Sequence, residues 1–215
     1  MTMKKLLSVC LMLSIAAASM AQNMPKGIFF GEKQLTSSNA KDIFGDGHAS
    51  YDAKKHTLVL QEGCQYRLGK GFVTINTGSP LLIILKGNAN ISASIISVDP
   101  IVLQSEGEHT LNINSNISGS TLKCPAITVE HSASLYLLSR NSQKGHAALD
   151  CAGDVTVNGG SLRLEVTTAD YAAVMKQLVL NGSVIQRPKG GKVAEDGIYC
   201  MGDGMPAKII RIVPE

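Results

Sequence analysis

The chain has 215 residues, of which 44% are hydrophobic, 17% charged and 4% aromatic, with no Trp. That length suffices for one domain with its own core, which aromatic scarcity makes aliphatic. The formal net charge is +3; without Lys4 and Lys5 of the N-terminal segment, 18 basic side chains face 17 acidic ones, a net charge of +1. That near balance argues against nucleic acid as a partner, which calls for a clustered basic face.

Residues 1–21 read as a secretory signal. Lys4 and Lys5 precede an apolar run from Leu6 to Ala18, and Ser19-Met20-Ala21 sets small residues where a signal peptidase reads. Cleavage before Gln22 and a secreted, periplasmic or cell-surface destination are expected. The run is short for a membrane span and no later one is longer, so a chain that does not span the membrane is expected. Cys10 precedes most of the apolar run, which argues against lipidation there.

Residues 22–65 have a different texture and are expected to form an N-terminal cap. Thr36 to Asn39 could open a short helix through Lys41 and Asp42. Ala49-Ser50-Tyr51-Asp52 and Thr57-Leu58-Val59-Leu60 flank a polar turn and read as a hairpin. Asp42, Asp46 and Asp52 lie among Gly45 and Gly47, but lack the alternate carboxylates and distant Glu of an EF-hand, so turn and capping duty is expected.

Residues 66–205 repeat. Ala148-Leu149-Asp150-Cys151 and Gly197-Ile198-Tyr199-Cys200 share an opening, each followed by a Gly-Asp pair, and Thr121-Leu122-Lys123-Cys124 repeats it. Pro100-Ile101 and Ala173-Val174 are looser copies, at intervals of about two dozen residues. Second strands are expected at Leu111 to Ile113, Val155 to Val157 and Leu178 to Leu180. Third strands are expected at Ser134-Leu135-Tyr136-Leu137, Ser161-Leu162-Arg163-Leu164 and Ser183-Val184-Ile185. Gly and Asn punctuate them at Asn158-Gly159-Gly160 and Asn181-Gly182, where the chain must accept positive φ. Phe72 to Ile75, Leu81 to Leu85, Asn90 to Ser92 and Ile95 to Val98 read as earlier strands.

This pattern predicts an all-β, right-handed parallel β-helix, a β-solenoid whose coils stack about 4.8 Å apart. Ile101, Leu122, Leu149, Val174 and Ile198 are expected to form one buried column. The competing architecture is a β-sandwich, whose neighbouring strands need not repeat in sequence. Residues 206–215, apolar with Lys208 and Arg211 interspersed, are expected to close the far end.

The run Ile28-Phe29-Phe30-Gly31-Glu32-Lys33-Gln34-Leu35-Thr36, with Asn39-Ala40-Lys41-Asp42-Ile43, Gly45-Asp46-Gly47, Ser50-Tyr51-Asp52 and Thr57-Leu58-Val59-Leu60, resembles a module of secreted gut-bacterial proteins. There it precedes strand repeats like Leu82-Ile83-Ile84-Leu85-Lys86-Gly87-Asn88. The resemblance implies a β-helical secreted repeat protein, of a family loosely described as carbohydrate-binding, and supplies no catalytic residues.

Cys124 and Cys151 occupy the same place in adjacent coils, within the Cα separation a disulfide spans. The alternative is a buried row in which Cys acts as a small hydrophobe. No Cys-x-x-Cys spacing suggests a metal, and His48, His56, His109, His131 and His146 are scattered in polar turns. No cofactor is expected, calcium being the ion left open. No Gly-x-Ser-x-Gly elbow occurs.

A polysaccharide lyase or hydrolase of the β-helix type is the enzymatic alternative. Its acidic candidates are Glu106, Glu108, Glu130, Asp150 and Asp154, with Arg163 and Arg187 as bases. Glu106 and Glu108 share a polar turn, and the Asp pair brackets a Gly turn, both places where acidic residues commonly serve solvation or capping. The primary expectation is a non-enzymatic binding or adhesion module that contacts glycans or surface proteins through its faces. Tyr136 points outward if Leu135 and Leu137 point in, and is the leading contact residue, with Arg163, Glu106 and Glu108 as further binding candidates. Tyr51, Tyr66, Tyr171 and Tyr199 are too widely spaced to form an aromatic platform with it. A structural, self-associating surface protein is the third reading.

Overall fold

The computed structural model describes residues 27–117, 119–140 and 145–215; the expected signal segment lies outside them. The described chain is all β, with no helix, and forms a solenoid of about 5 turns. No helix among the described residues is long and apolar enough to cross a membrane.

The N-terminal part contributes short antiparallel strands. β1 (Phe29–Phe30) pairs with β2 (Lys33–Gln34), and β3 (Ala49–Asp52) forms the expected hairpin with β4 (Thr57–Gln61). The short helix expected near Lys41 is replaced by successive turns. Side chains have captured the amides a helix would need. The Asp42 carboxylate accepts from Gly45, Asp46 and Gly47 N at 2.9, 3.0 and 3.0 Å, and Asn39 Oδ1 accepts from Thr36 N at 2.8 Å.

From β4 onward each turn of the solenoid lays down three strands. The first face stacks β4, β6 (Leu81–Lys86), β8 (Ile101–Ser105), β11 (Ile127–Val129), β14 (Asp154–Asn158) and β17 (Gln177–Asn181), all parallel. The second face begins with the leading halves of β5 (Cys64–Ile75) and β7 (Ala89–Ser97). It continues through β9 (His109–Ser115), β12 (Ala133–Ser139) and β15 (Ser161–Val166). The third face takes the trailing halves of β5 and β7, then β10 (Leu122–Cys124), β13 (Leu149–Cys151) and β16 (Ala173–Val174). Parallel stacking therefore starts inside the segment expected as a cap. Gly159 and Gly182, at φ 66° and 64°, turn the chain from the first face to the second in successive coils, and a Cβ at Gly159 would come within 2.9 Å of His131 Nδ1.

Each face sends parallel rows of side chains inward. Leu81, Ile101, Ile127 and Val155 stack from the first face; Leu111, Leu135 and Leu162 from the second; Val73, Ile95, Leu122 and Leu149 from the third. All are at most 3% exposed, so each row excludes water only because its neighbours cover it. Burial of one such side chain contributes about 1.5–3 kcal/mol.

The single column expected from the repeated opening is divided among these rows. Leu122 and Leu149 do stack, between Ile95 and Ala173. Ile101 belongs to the first face, Val174 stands beside outward Asp150, and Ile198 forms an antiparallel bridge to Val174. Three faces per turn make several similar rows, and the opening marks the third face only in β10 and β13. The expected equivalence of Leu111 with Val155 and Leu178 fails similarly, since Leu111 lies on the second face and the others on the first.

After β17 the pattern changes. β18 (Ser183–Arg187) does not pair with β15. The tail strand β21 (Ile209–Pro214) lies antiparallel between them. β19 (Lys192–Val193) and β20 (Tyr199–Cys200) form a small antiparallel pair instead of another coil.

Candidate functional site

On the second face, alternation along β12 puts Leu135 and Leu137 in the core, at 2% and 0% exposure, and turns Tyr136 out. One turn on, β15 repeats the pattern: Leu162 and Leu164 are buried, and Arg163 and Glu165 point outward. The register sets Tyr136 beside Arg163. The Arg163 guanidinium lies 4.6 Å from the Tyr136 ring centre. Glu165 Oε2 accepts from Arg163 Nη2 at 2.7 Å and from the Tyr136 hydroxyl at 3.2 Å. Burial, and then the Glu165 carboxylate, push the Tyr136 hydroxyl above the usual tyrosine range, with Arg163 partly opposing. The bond to Glu165 raises Arg163 in turn.

This triad borders an open groove of ≈ 280 Å³ lined by Thr110, Asn112, Ser134, Ser161 and Arg211 among others. Its rim offers hydroxyl, amide and guanidinium groups along a flat sheet. A second groove on the same face, ≈ 320 Å³, is lined by Arg67, Ser92, Asn114, Asn116 and Arg140.

Glu106 and Glu108 do not join the triad. They lie in the turn before β9, where Glu106 pairs with Lys86 at 2.9 Å. The carboxylate that accompanies Tyr136 and Arg163 is Glu165, two residues from Arg163 on the same side of one strand. That relation follows from period-2 alternation. Arg211 had no such signal, because it arrives on an antiparallel tail strand that breaks the repeat.

The acidic candidates for glycoside chemistry are dispersed. Glu130 accepts from Asn158 Nδ2 at 3.3 Å beside the first face, whereas Asp150 pairs with Lys123 at 2.9 Å on the third. Among the described residues, no group of three or more His, Cys, Asp or Glu side chains is placed to hold a metal ion.

Cys124 and Cys151 are register partners, both buried, and both are free thiols. The disulfide their spacing allows is not formed. Instead Cys151 Sγ lies within hydrogen-bonding reach of the Gly153, Asp154 and Pro125 carbonyl oxygens at 3.5, 3.6 and 3.8 Å, while the adjacent Cys151 and then burial hold Cys124 above the ordinary thiol range. Both thiols occupy an inward row, where each fills the place of a small hydrophobe.

Compared with protein-family models, with curated proteins and with solved structures, the chain matches none.

Proposed function

We propose that this chain is an exported, non-enzymatic binding module that holds an extended glycan against the second face of its solenoid. The observation that carries the reading is the Tyr136–Arg163–Glu165 triad at a groove rimmed by Asn112, Ser134 and Ser161. Glu165 fixes the guanidinium in orientation, and the flanking hydroxyl and amide groups are the donors and acceptors that sugar hydroxyls require. The sheet's straight run of side chains suits a linear ligand better than a compact one.

The test is retention of the full-chain product on immobilised polysaccharides, read with wild type and with Tyr136→Ala and Arg163→Ala. Saturable retention that both substitutions weaken supports the reading. Retention indifferent to both, or none on any polysaccharide, contradicts it. Appearance of new reducing or unsaturated sugar ends during incubation would favour the lyase or hydrolase alternative.

A further inference from the structure

The chain has five arginines, Arg67, Arg140, Arg163, Arg187 and Arg211, and all five lie on the second face. Arg67 is on the leading half of β5, and Arg140 directly follows β12 and lines the same groove. Arg163, Arg211 and Arg187 are register neighbours on β15, β21 and β18, one guanidinium per strand in an unbroken row. All five are exposed. Lysines are more widely spread: Lys54 in the hairpin turn, Lys86 on the first face, Lys123 on the third and Lys208 beside the end of β15. A near-neutral total therefore conceals a one-sided distribution.

The row works against the fold. Like charges directly opposite each other on neighbouring strands are destabilising. Among the described residues, only Arg163 has a carboxylate within ion-pair distance; no ion pair is formed by Arg67, Arg140, Arg187 or Arg211. Glu165 is the only carboxylate at an outward position of β9, β12, β15, β18 and β21. Guanidinium groups exposed in a line, one per strand at about 4.8 Å, suit a ligand whose anions are strung along a line. A linear polysaccharide with one carboxylate on every sugar presents anions repeatedly along its length, and arginine's planar fork receives a carboxylate through two parallel hydrogen bonds.

We infer that the second face recognises a linear acidic polysaccharide, of the polyuronate class, through this arginine row. The inference rests on the glycan-binding reading and specifies its ligand. Nucleic acid is the other regular polyanion. Its recognition in single-stranded form uses aromatic side chains on which bases stack, and here the Tyr136 ring already carries the Arg163 guanidinium.

The experiment measures affinity of the full-chain product for polygalacturonate and for the same polymer with its carboxylates methyl-esterified. Dextran sulfate and single-stranded DNA are the competing polyanions. Expected are tightest binding to polygalacturonate, loss on esterification and weakening with added salt. Arg187→Gln and Arg211→Gln should each lower affinity by about tenfold or more, the loss of a charge-assisted contact. Arg211→Lys should fall between wild type and Arg211→Gln, while Lys54→Gln and Lys123→Gln should leave affinity unchanged. Thermal unfolding checks that each variant is folded. Equal binding to the esterified polymer would overturn the arginine-row inference and leave glycan binding standing. Absence of binding to every polysaccharide would overturn both. Tighter binding to dextran sulfate or DNA, or equal losses in the lysine variants, would overturn the inference.

Discussion

Tyr136, Arg163 and Glu165 depend on one another, and each can be probed separately. The Tyr136 hydroxyl is held protonated beyond its usual range by burial and by Glu165. In Glu165→Gln, phenolate titration followed by ultraviolet absorbance should show Tyr136 ionising at lower pH than in wild type, while remaining above a free tyrosine because burial persists. Two other tyrosines report on the core. Burial raises Tyr51 and Tyr199 from 10.0 to about 12, and neither hydroxyl has a hydrogen-bond partner among the described residues. A tyrosine of the unfolded chain ionises near its ordinary value, whereas these stay neutral in the fold. Their contribution to stability is complete below pH 10 and is lost as pH rises toward 12. Denaturant midpoints measured across that window should fall, and fall less steeply in Tyr199→Phe. Below the window Tyr199→Phe should match or exceed wild type, since it removes a buried hydroxyl with no partner. At the cysteine pair, alkylation in denaturant without reductant should label both Cys124 and Cys151; an unlabelled pair would reveal an oxidised bridge.

At the scale of strands, the inward rows carry the stability. Leu137 is 0% exposed in the middle of β12, so Leu137→Ala should cost about 2–5 kcal/mol in denaturant unfolding, a transfer loss plus a cavity. The tail strand has a different duty. β21 covers the open edge of β15 and carries Ile210 and Ile212 into the core, each 1% exposed. Deleting residues 209–215 should uncover that edge and apolar surface, producing lower stability and self-association visible by light scattering. The sequence disclosed these elements unevenly. Ser134-Leu135-Tyr136-Leu137 and Ser161-Leu162-Arg163-Leu164 align without gaps, so their alternation and the Tyr136–Arg163 adjacency were readable. The opening shared by Leu149 and Ile198 misled, because small-aliphatic-x-Cys suits both a third-face rung and an antiparallel pair. Nothing local distinguishes the two; the difference lies in what packs beside them. Position in the coil was equally hidden for Ile101, since inward rows on all three faces have the same alternation of similar aliphatic residues. The turns around Asp42 escaped the helix expectation because side chain–backbone bonds replaced the helical ladder.

For the molecule as a whole, stacking turns local alternation into long surfaces, and the surfaces differ. The first face is bordered by β-branched and amide side chains such as Thr128, Thr156, Asn158 and Asn181, whose last two members bond at 2.8 Å. The second collects every arginine. That division depends on register: a slip of one residue in β12 or β15 would bury Tyr136 or Arg163 and expose the leucines. The register is therefore the claim on which the groove, the triad and the arginine row all depend. It can be tested by engineered cross-linking. Tyr136→Cys with Arg163→Cys places two outward thiols on register neighbours, at a strand spacing of about 4.8 Å that a disulfide spans. Asn112→Cys with Arg163→Cys places them two strands apart, about twice that distance and out of reach. Under mild oxidation, peptide mass spectrometry should find the first bridge formed within single chains and the second absent. Formation of the Asn112/Arg163 bridge in preference to the Tyr136/Arg163 bridge would contradict the stacked register.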